Sequence, residues 1–183
     1  MEQMFRHANH LTTLPATAPD LSSVTNMYAM FYNASSFTSD LSNWNVSNVT
    51  SMAFMFRGAS SFTSDLSAWD VSKVTAMNHM FMEASSFTSD LSAWNVSNVT
   101  SMASMFYQVT NFTSDLSAWN VSNVTSMAFM FYKASHFTGN LSNWDVSKVT
   151  NMGSMFSFAV AVKFRAPSVI HRTPIYRDWE TQK

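Results

Sequence analysis

Four aspartates recur at a constant interval along the chain, and carboxylates stacked at one coil spacing could hold a calcium ion. Ca²⁺ is a hard cation that binds several oxygen ligands, which aspartate can supply. The structural alternative is an Asx turn, in which the side chain accepts a hydrogen bond from the backbone two residues later. An asparagine in the fifth position favours the turn, so we expect no metal site. The series is Asp40, Asp65, Asp90, Asp115 and Asn140.

A second Asx series follows a tryptophan series that could stack sugar rings. The tryptophans alternate with polar residues, which predicts that their rings point into the core and that the indole N–H groups bond locally. The Asx and serine side chains then form a regular outward lattice, suited to a periodic ligand such as a glycan. The tryptophans are Trp44, Trp69, Trp94, Trp119 and Trp144. The Asx series is Asn45, Asp70, Asn95, Asn120 and Asp145.

Catalytic and cofactor chemistry has no matching pattern. The five histidines have no carboxylate or cysteine partners at metal-ligand spacing, and the serines have no histidine and acid in register for a triad. The chain contains no cysteine, which excludes disulfides and thiolate chemistry. We therefore expect a protein that is not an enzyme and that uses no cofactor. The histidines are His7, His10, His79, His136 and His171.

These residues are positioned by a tandem repeat, which sets the domain organisation. The 25-residue unit reads F-T-S-D-L-S-x-W-[ND]-V-S-[NK]-V-T-x-M-x-x-M-F-x-x-A-S-x. Five copies occupy 37–161. Degenerate N-terminal repeats, or a cap, precede them over 1–36, with the earliest partial copy one residue out of step. A C-terminal tail or cap follows over 162–183.

Each unit is predicted to contain one short strand and one short helix. Trp44 and Val46 alternate with polar residues, which favours a strand. The apolar series from Val49 to Ala59 falls on one face of a helix, which the preceding Ser or Asn would cap. Parallel stacking of such units gives an α/β solenoid like a leucine-rich repeat, with strands on the concave side and helices on the convex side.

The motifs W-[ND]-V-S, V-T-x-M and M-F recur in fixed register over about residues 20–160. In these motifs the chain resembles the repeats of BspA-like surface proteins, the DUF285-type repeat. The family often has F-N-Q-D where this chain has F-T-S-D. The resemblance implies a leucine-rich-repeat-like solenoid, an extracellular or cell-surface location and a role in adhesion.

Charge and hydropathy exclude two classes of partner. The formal net charge is −1 and only 11% of residues are charged, so we expect no nucleic-acid binding, which requires clustered Lys and Arg. No apolar run approaches the ~20 residues that span a bilayer, so we expect no transmembrane segment.

Asn-x-Ser/Thr sequons could carry glycans, although Asn and Ser are also what turns need. They begin at Asn33, Asn45, Asn48, Asn95, Asn98, Asn111, Asn120, Asn123 and Asn140.

The repeats differ mainly in the predicted helix, and this variation indicates a binding surface. The convex side collects exposed aromatic and charged residues, which favour protein contacts. These candidates are Phe54, Arg57, His79, Tyr107, Phe129 and Tyr132. We expect a binding module for a protein or a glycan at a cell surface. The alternative is a structural protein whose open solenoid ends self-associate into filaments or a surface layer.

Overall fold

The computed structural model describes residues 1–159 and 162–164, and the chain there winds into a solenoid. From Asn26 onward each coil has the length of the sequence repeat, as a series of parallel β-bridges between equivalent residues shows. The bridges are Asn26–Ser51, Ser51–Ala76, Ala76–Ser101, Ser101–Ser126 and Ser126–Asn151, with a further one between Asn140 and Lys163. The predicted repeat therefore corresponds to one turn of the solenoid.

No helix and no strand longer than a single bridge occurs in the described residues. The chain is built from turns instead, and in the first full copy these lie at 42–43, 47–48, 53–58 and 60–61. None of the described segments is a helix long and apolar enough to cross a membrane.

The segment predicted as a helix is a ladder of turns that pairs with the next coil. Every second amide donates to the carbonyl of a residue 24 positions later, as in Phe81 to Met105 at 3.0 Å. The intervening amides close turns within the coil, as in Met80 to Met77 at 3.2 Å. Backbone polar groups are thereby bonded without helical i to i−4 pairing.

The predicted strand around Trp44 and Val46 is likewise replaced by two turns. The amide of Trp44 donates to the carbonyl of Leu41 at 3.0 Å, and that of Val49 donates to Val46 at 2.9 Å. The parallel bridges lie instead at Ser51 and its equivalents in the other coils, next to the ladder of turns. The prediction of one strand and one helix per coil is therefore not confirmed. The concave strand side and the convex helix side that it implied are not confirmed either.

Stacked phenylalanines form the centre of the core. Within a coil the two rings of Phe56 and Phe62 stack at a centroid distance of 4.1 Å. Between coils Phe56 stacks on Phe81 at 5.7 Å and Phe81 on Phe106 at 5.9 Å. The side chains of the M-x-x-M-F series are fully buried around them from Met27 to Phe131 and slightly more exposed in the last copy, so the inward positions read from the sequence are confirmed.

Buried polar groups form hydrogen bonds that join successive coils. The indole of Trp94 is 4% exposed, and its Nε1 donates to the carbonyl of Leu66 in the preceding coil at 2.9 Å. The buried Ser89 hydroxyl accepts from the amide of Leu66 at 2.8 Å. These bonds confirm that the tryptophans lie in the core, and each bond joins two coils.

The first coil pairs with the second in a register that is shifted by one residue relative to the later coils. The amides of Gln3, Phe5 and His7 donate to carbonyls of the next coil at 2.7–2.9 Å, and Phe5 stacks on Phe31 at 5.4 Å. Arg6 therefore takes the place that Tyr32 has in the next coil, and this first coil is one residue longer than those that follow. The predicted tail at 162–183 lies outside the described residues except for 162–164.

Substitution of a central phenylalanine tests the stacked core. Phe81→Ala removes a fully buried ring and its contacts on both sides, so we expect the free energy of unfolding to fall by about 3–5 kcal/mol. Urea denaturation followed by tryptophan fluorescence measures the change. Phe158→Ala is the matched control, because that ring is 66% exposed and its loss should change stability by less than about 0.5 kcal/mol. Equal losses in the two variants would contradict this packing.

Candidate functional site

The variable residues of the repeat lie on one surface, which we call the turn face. It consists of three columns of equivalent residues that run from coil to coil along the ladder of turns. The first column is Gln3, Ala29, Phe54, His79, Ser104, Phe129 and Ser154. The second is Arg6, Tyr32, Arg57, Met82, Tyr107, Tyr132 and Ser157. The third is His7, Asn33, Gly58, Glu83, Gln108, Lys133 and Phe158.

Two of the three columns share an unusual backbone conformation. Every residue of the first and third columns has a positive φ, between 51° and 69°. Turns of type II require such a residue at their third position, and glycine is the residue that adopts it without steric cost. Only Gly58 is a glycine here, so the other positions carry side chains despite the strain. A strained backbone that retains a varied set of side chains is typical of functional surfaces.

An aromatic cluster occupies the C-terminal half of the turn face. Tyr107 and Tyr132 stack at 4.7 Å, and Tyr132 meets Phe129 edge-on at 5.9 Å and Phe158 edge-on at 5.5 Å. Phe129 is 42% exposed and Phe158 is 66% exposed, whereas the tyrosines are half-buried. The ammonium group of Lys133 lies 5.5 Å from the Tyr132 ring and 5.7 Å from the Phe158 ring. The cluster is an apolar platform with one cation at its edge.

A second cluster, which combines arginine with aromatic rings, occupies the N-terminal half. The guanidinium of Arg6 lies 5.0 Å from the centre of the Tyr32 ring, and that of Arg57 lies 5.2 Å from the same ring. Beside them, Phe54 stacks on His79 at 4.3 Å. Burial lowers the pKa of His79, and the nearby positive charge of Arg57 lowers it further, so both effects favour the neutral imidazole.

The sequence identified six of these residues and missed others. Phe54, Arg57, His79, Tyr107, Phe129 and Tyr132 do lie on the turn face, and most are half-buried. Arg6 and Tyr32 were missed because they belong to the degenerate N-terminal repeats, and Phe158, in the last full copy, was not among the candidates. Aligning the first coil with one extra residue would have placed Arg6 in the column of Arg57.

The two Asx series are exposed and engaged in their own turns. The Asp40 carboxylate accepts from the amide of Ser42 at 2.9 Å, and Asn45 accepts from that of Ser47 at 3.2 Å. The same bond is made by Asp70, Asn95, Asn120 and Asp145. No group of three or more His, Cys, Asp or Glu side chains in the described residues could hold a metal ion. The turn interpretation of the Asp40 series is confirmed.

Hydrogen bonding in these turns lowers carboxylate pKa values. For Asp40, Asp65 and Asp90 the largest cause is the bond from the backbone amide of the serine two residues later. A serine hydroxyl from the next coil adds to the effect, as in Ser114 Oγ to Asp90 at 2.9 Å. Each bond favours the charged form of the carboxyl group. Asp40, Asp65 and Asp90 therefore link adjacent coils through their carboxylates.

The sequence matches one protein family over most of its length. The family model described as "Mycoplasma protein of unknown function, DUF285" matches residues 1–114 and residues 69–168. The chain belongs to the DUF285 family. This confirms the resemblance that the repeat motifs indicated. The family description assigns no activity to this DUF285 chain.

Among solved structures, internalin C2 from Listeria monocytogenes str. 4b F2365 is similar with a TM-score of 0.33 and 14% sequence identity. That match covers 91% of this chain and 79% of the internalin chain. No curated protein matches the sequence.

Replacing aspartates of the Asp40 series by asparagine tests their role in stability. Their pKa values are lowered in the folded state, so their contribution is complete above the unfolded value near pH 4 and is lost as the pH falls through the folded value. The variant Asp40→Asn/Asp65→Asn/Asp90→Asn should keep the turns, as Asn140 does, and should lose less stability than the wild type below pH 4. Thermal unfolding from pH 7 to pH 2 measures this.

The reverse substitution provides the control. Asn120→Asp introduces a carboxylate into an equivalent Asx turn, where the amide of Ser122 donates at 3.1 Å, and should increase the loss of stability in acid. If the triple variant and the wild type lose stability in parallel below pH 4, the aspartate turns do not account for the acid sensitivity.

Proposed function

We propose that this chain is a non-enzymatic repeat module that binds a partner protein through its turn face, outside the cell or at the cell surface. The observation that carries the proposal is the cluster around Tyr132, in which two phenylalanines are 42% and 66% exposed. Contiguous exposed apolar side chains on an otherwise polar surface mark interaction sites. Aromatic residues are also the side chains that protein interfaces favour at their centres.

The contrast with the rest of the surface supports this choice. The Asx turns repeat with little change from coil to coil, whereas the turn face differs in every coil. A varied set of side chains on a regular scaffold can provide a specific contact surface, which an unvarying surface cannot. The cell-surface location rests on the resemblance to BspA-like repeats.

The environments of the aspartates and of His79 support a non-enzymatic role. Asp40, Asp65 and Asp90 are exposed acceptors in turns, and hydrogen bonds lower their pKa values instead of raising them toward neutrality as general acid catalysis would require. His79, the histidine on the turn face with a shifted pKa, is half-buried and stacked on Phe54.

Binding to surface and matrix components tests the function. The variant Phe129→Ser/Phe158→Ser removes the two most exposed rings of the cluster, and we expect it to weaken binding at least about tenfold, since interface aromatics commonly contribute more than about 1.4 kcal/mol. Purified wild type and variant would be measured by surface plasmon resonance against a panel of extracellular-matrix proteins and a glycan array.

The matched control changes side chains of the Asx surface. Asn45→Ser/Asn95→Ser removes two exposed amides from a region with no role in the proposed contact, and should leave binding unchanged. Loss of binding in the control but not in the phenylalanine variant would favour a glycan on the Asx lattice and overturn the proposal. Absence of any binding, together with growth of the chain into long assemblies, would favour the structural alternative.

A further inference from the structure

Charge is distributed unevenly between the surfaces of this solenoid. Nine carboxylate side chains occur in the described residues. Six of them belong to the two Asx series, and a seventh, Asp20, occupies the equivalent position one coil before Asn45. They are Asp20, Asp40, Asp65, Asp70, Asp90, Asp115 and Asp145. The turn face carries Arg6, Arg57 and Lys133, with Glu83 as its one carboxylate among the described residues and Glu2 beside it. An acidic partner would be repelled by the Asx surface and attracted to the turn face.

Two of these cations, Arg6 and Arg57, are held in place by aromatic rings and remain available to bind an anion. Arg6, Tyr32 and Arg57 belong to consecutive coils of one column, and both guanidiniums contact the Tyr32 ring. Arg57 also lies 6.0 Å from the Phe54 ring. Arg6 donates from Nη1 to the Gln3 side chain at 2.8 Å, and neither arginine forms an ion pair with a carboxylate of the described residues. Cation–π contacts restrict the side chains without neutralising their charge.

The edges of the Phe54 and His79 rings, which lie beside the arginines, also suit an anionic ligand. Phe54 and His79 stack nearly parallel, with an interplanar angle of 7°, so each ring covers one face of the other. Aromatic rings are negative on their faces and positive at their edges. A guanidinium has a planar fork of donors that matches a carboxylate in bidentate geometry. The arrangement therefore favours a planar anion over a cation or a sugar face.

We infer that Arg6 and Arg57 bind carboxylates of an acidic polypeptide segment in the partner protein, while the aromatic cluster at the other end of the turn face binds its apolar side chains. This inference rests on the proposed function and adds the chemistry of the partner. The arginines lie two coils apart, roughly 10 Å at the ~4.8 Å spacing of parallel backbone ladders, which an extended segment spans within a few residues. A protein segment is favoured over an acidic polysaccharide because only the former supplies both carboxylates and large apolar side chains.

The test uses a short fluorescein-labelled poly-L-glutamate peptide and the whole chain at low ionic strength, with fluorescence polarisation as the readout. Arg6→Gln/Arg57→Gln should weaken binding about tenfold or more, because two charge-assisted contacts are lost. Arg6→Lys/Arg57→Lys keeps the charge but loses the bidentate fork, so an intermediate loss is expected. Circular dichroism would confirm that each variant retains the fold.

Lys73→Gln/Lys148→Gln is the charge-matched control. These lysines donate to Asn48 and Asn123 away from the turn face, and their removal changes the net charge by the same amount. We expect less than a twofold effect on binding. Equal losses in the two glutamine variants, or no binding to the wild type, would overturn the inference.

A parallel titration with heparin distinguishes the other polyanion. Heparin binding that depends on Arg6 and Arg57, without glutamate binding, would assign the site to an acidic polysaccharide and overturn the inference. The proposed function has a separate readout, because binding that is lost in Phe129→Ser/Phe158→Ser does not depend on the poly-L-glutamate result. Failure of the arginine test alone would leave the turn face as a protein-binding surface without an acidic partner.

Discussion

The alternating backbone hydrogen bonds between coils are the interaction on which the rest of this structure depends. One amide donates to the next coil and its neighbour closes a turn within its own coil, so the ladder and the turns form together. Parallel pairing leaves a hydrogen-bonding edge on every coil, and only a neighbouring coil can satisfy it. A single coil can neither satisfy that edge nor bury its phenylalanines, which is why the fold requires tandem copies.

This backbone pattern also determines where the chain can vary. The ladder turns side chains such as Met77, Met80 and Phe81 into the core, where they are fully buried and stack or pack on the next coil. The residues with positive φ between them are free of that constraint. His79 and Glu83 occupy such positions in one coil, and Phe129 and Lys133 occupy them two coils later. The surface that we propose for binding is thus a consequence of the turns that build the core.

The sequence predicted the repeat, the inward residues and the Asx turns, because these depend on side-chain type and spacing alone. It did not predict how the backbone connects the inward residues. Val49, Met52, Met55, Phe56 and Ala59 have the spacing of a helical face, and a ladder of turns places the same residues inward. Glycine at the positive-φ positions would have signalled turns, but only Gly58 provides it. The aromatic cluster could be predicted in part, since Tyr107, Phe129 and Tyr132 belong to regular coils, whereas Arg6 lies in the coil of altered length.

The most direct test of this account is a nuclear magnetic resonance measurement of couplings across backbone hydrogen bonds in the isotope-labelled chain. The structure predicts a coupling between the amide nitrogen of Phe81 and the carbonyl carbon of Met105 in the next coil, whose N–O distance is 3.0 Å. It also predicts that the amide of Met80 couples to Met77 in its own coil. A coupling from Phe81 to the carbonyl carbon of Met77, four residues earlier, would show a helix in this segment and would contradict the account.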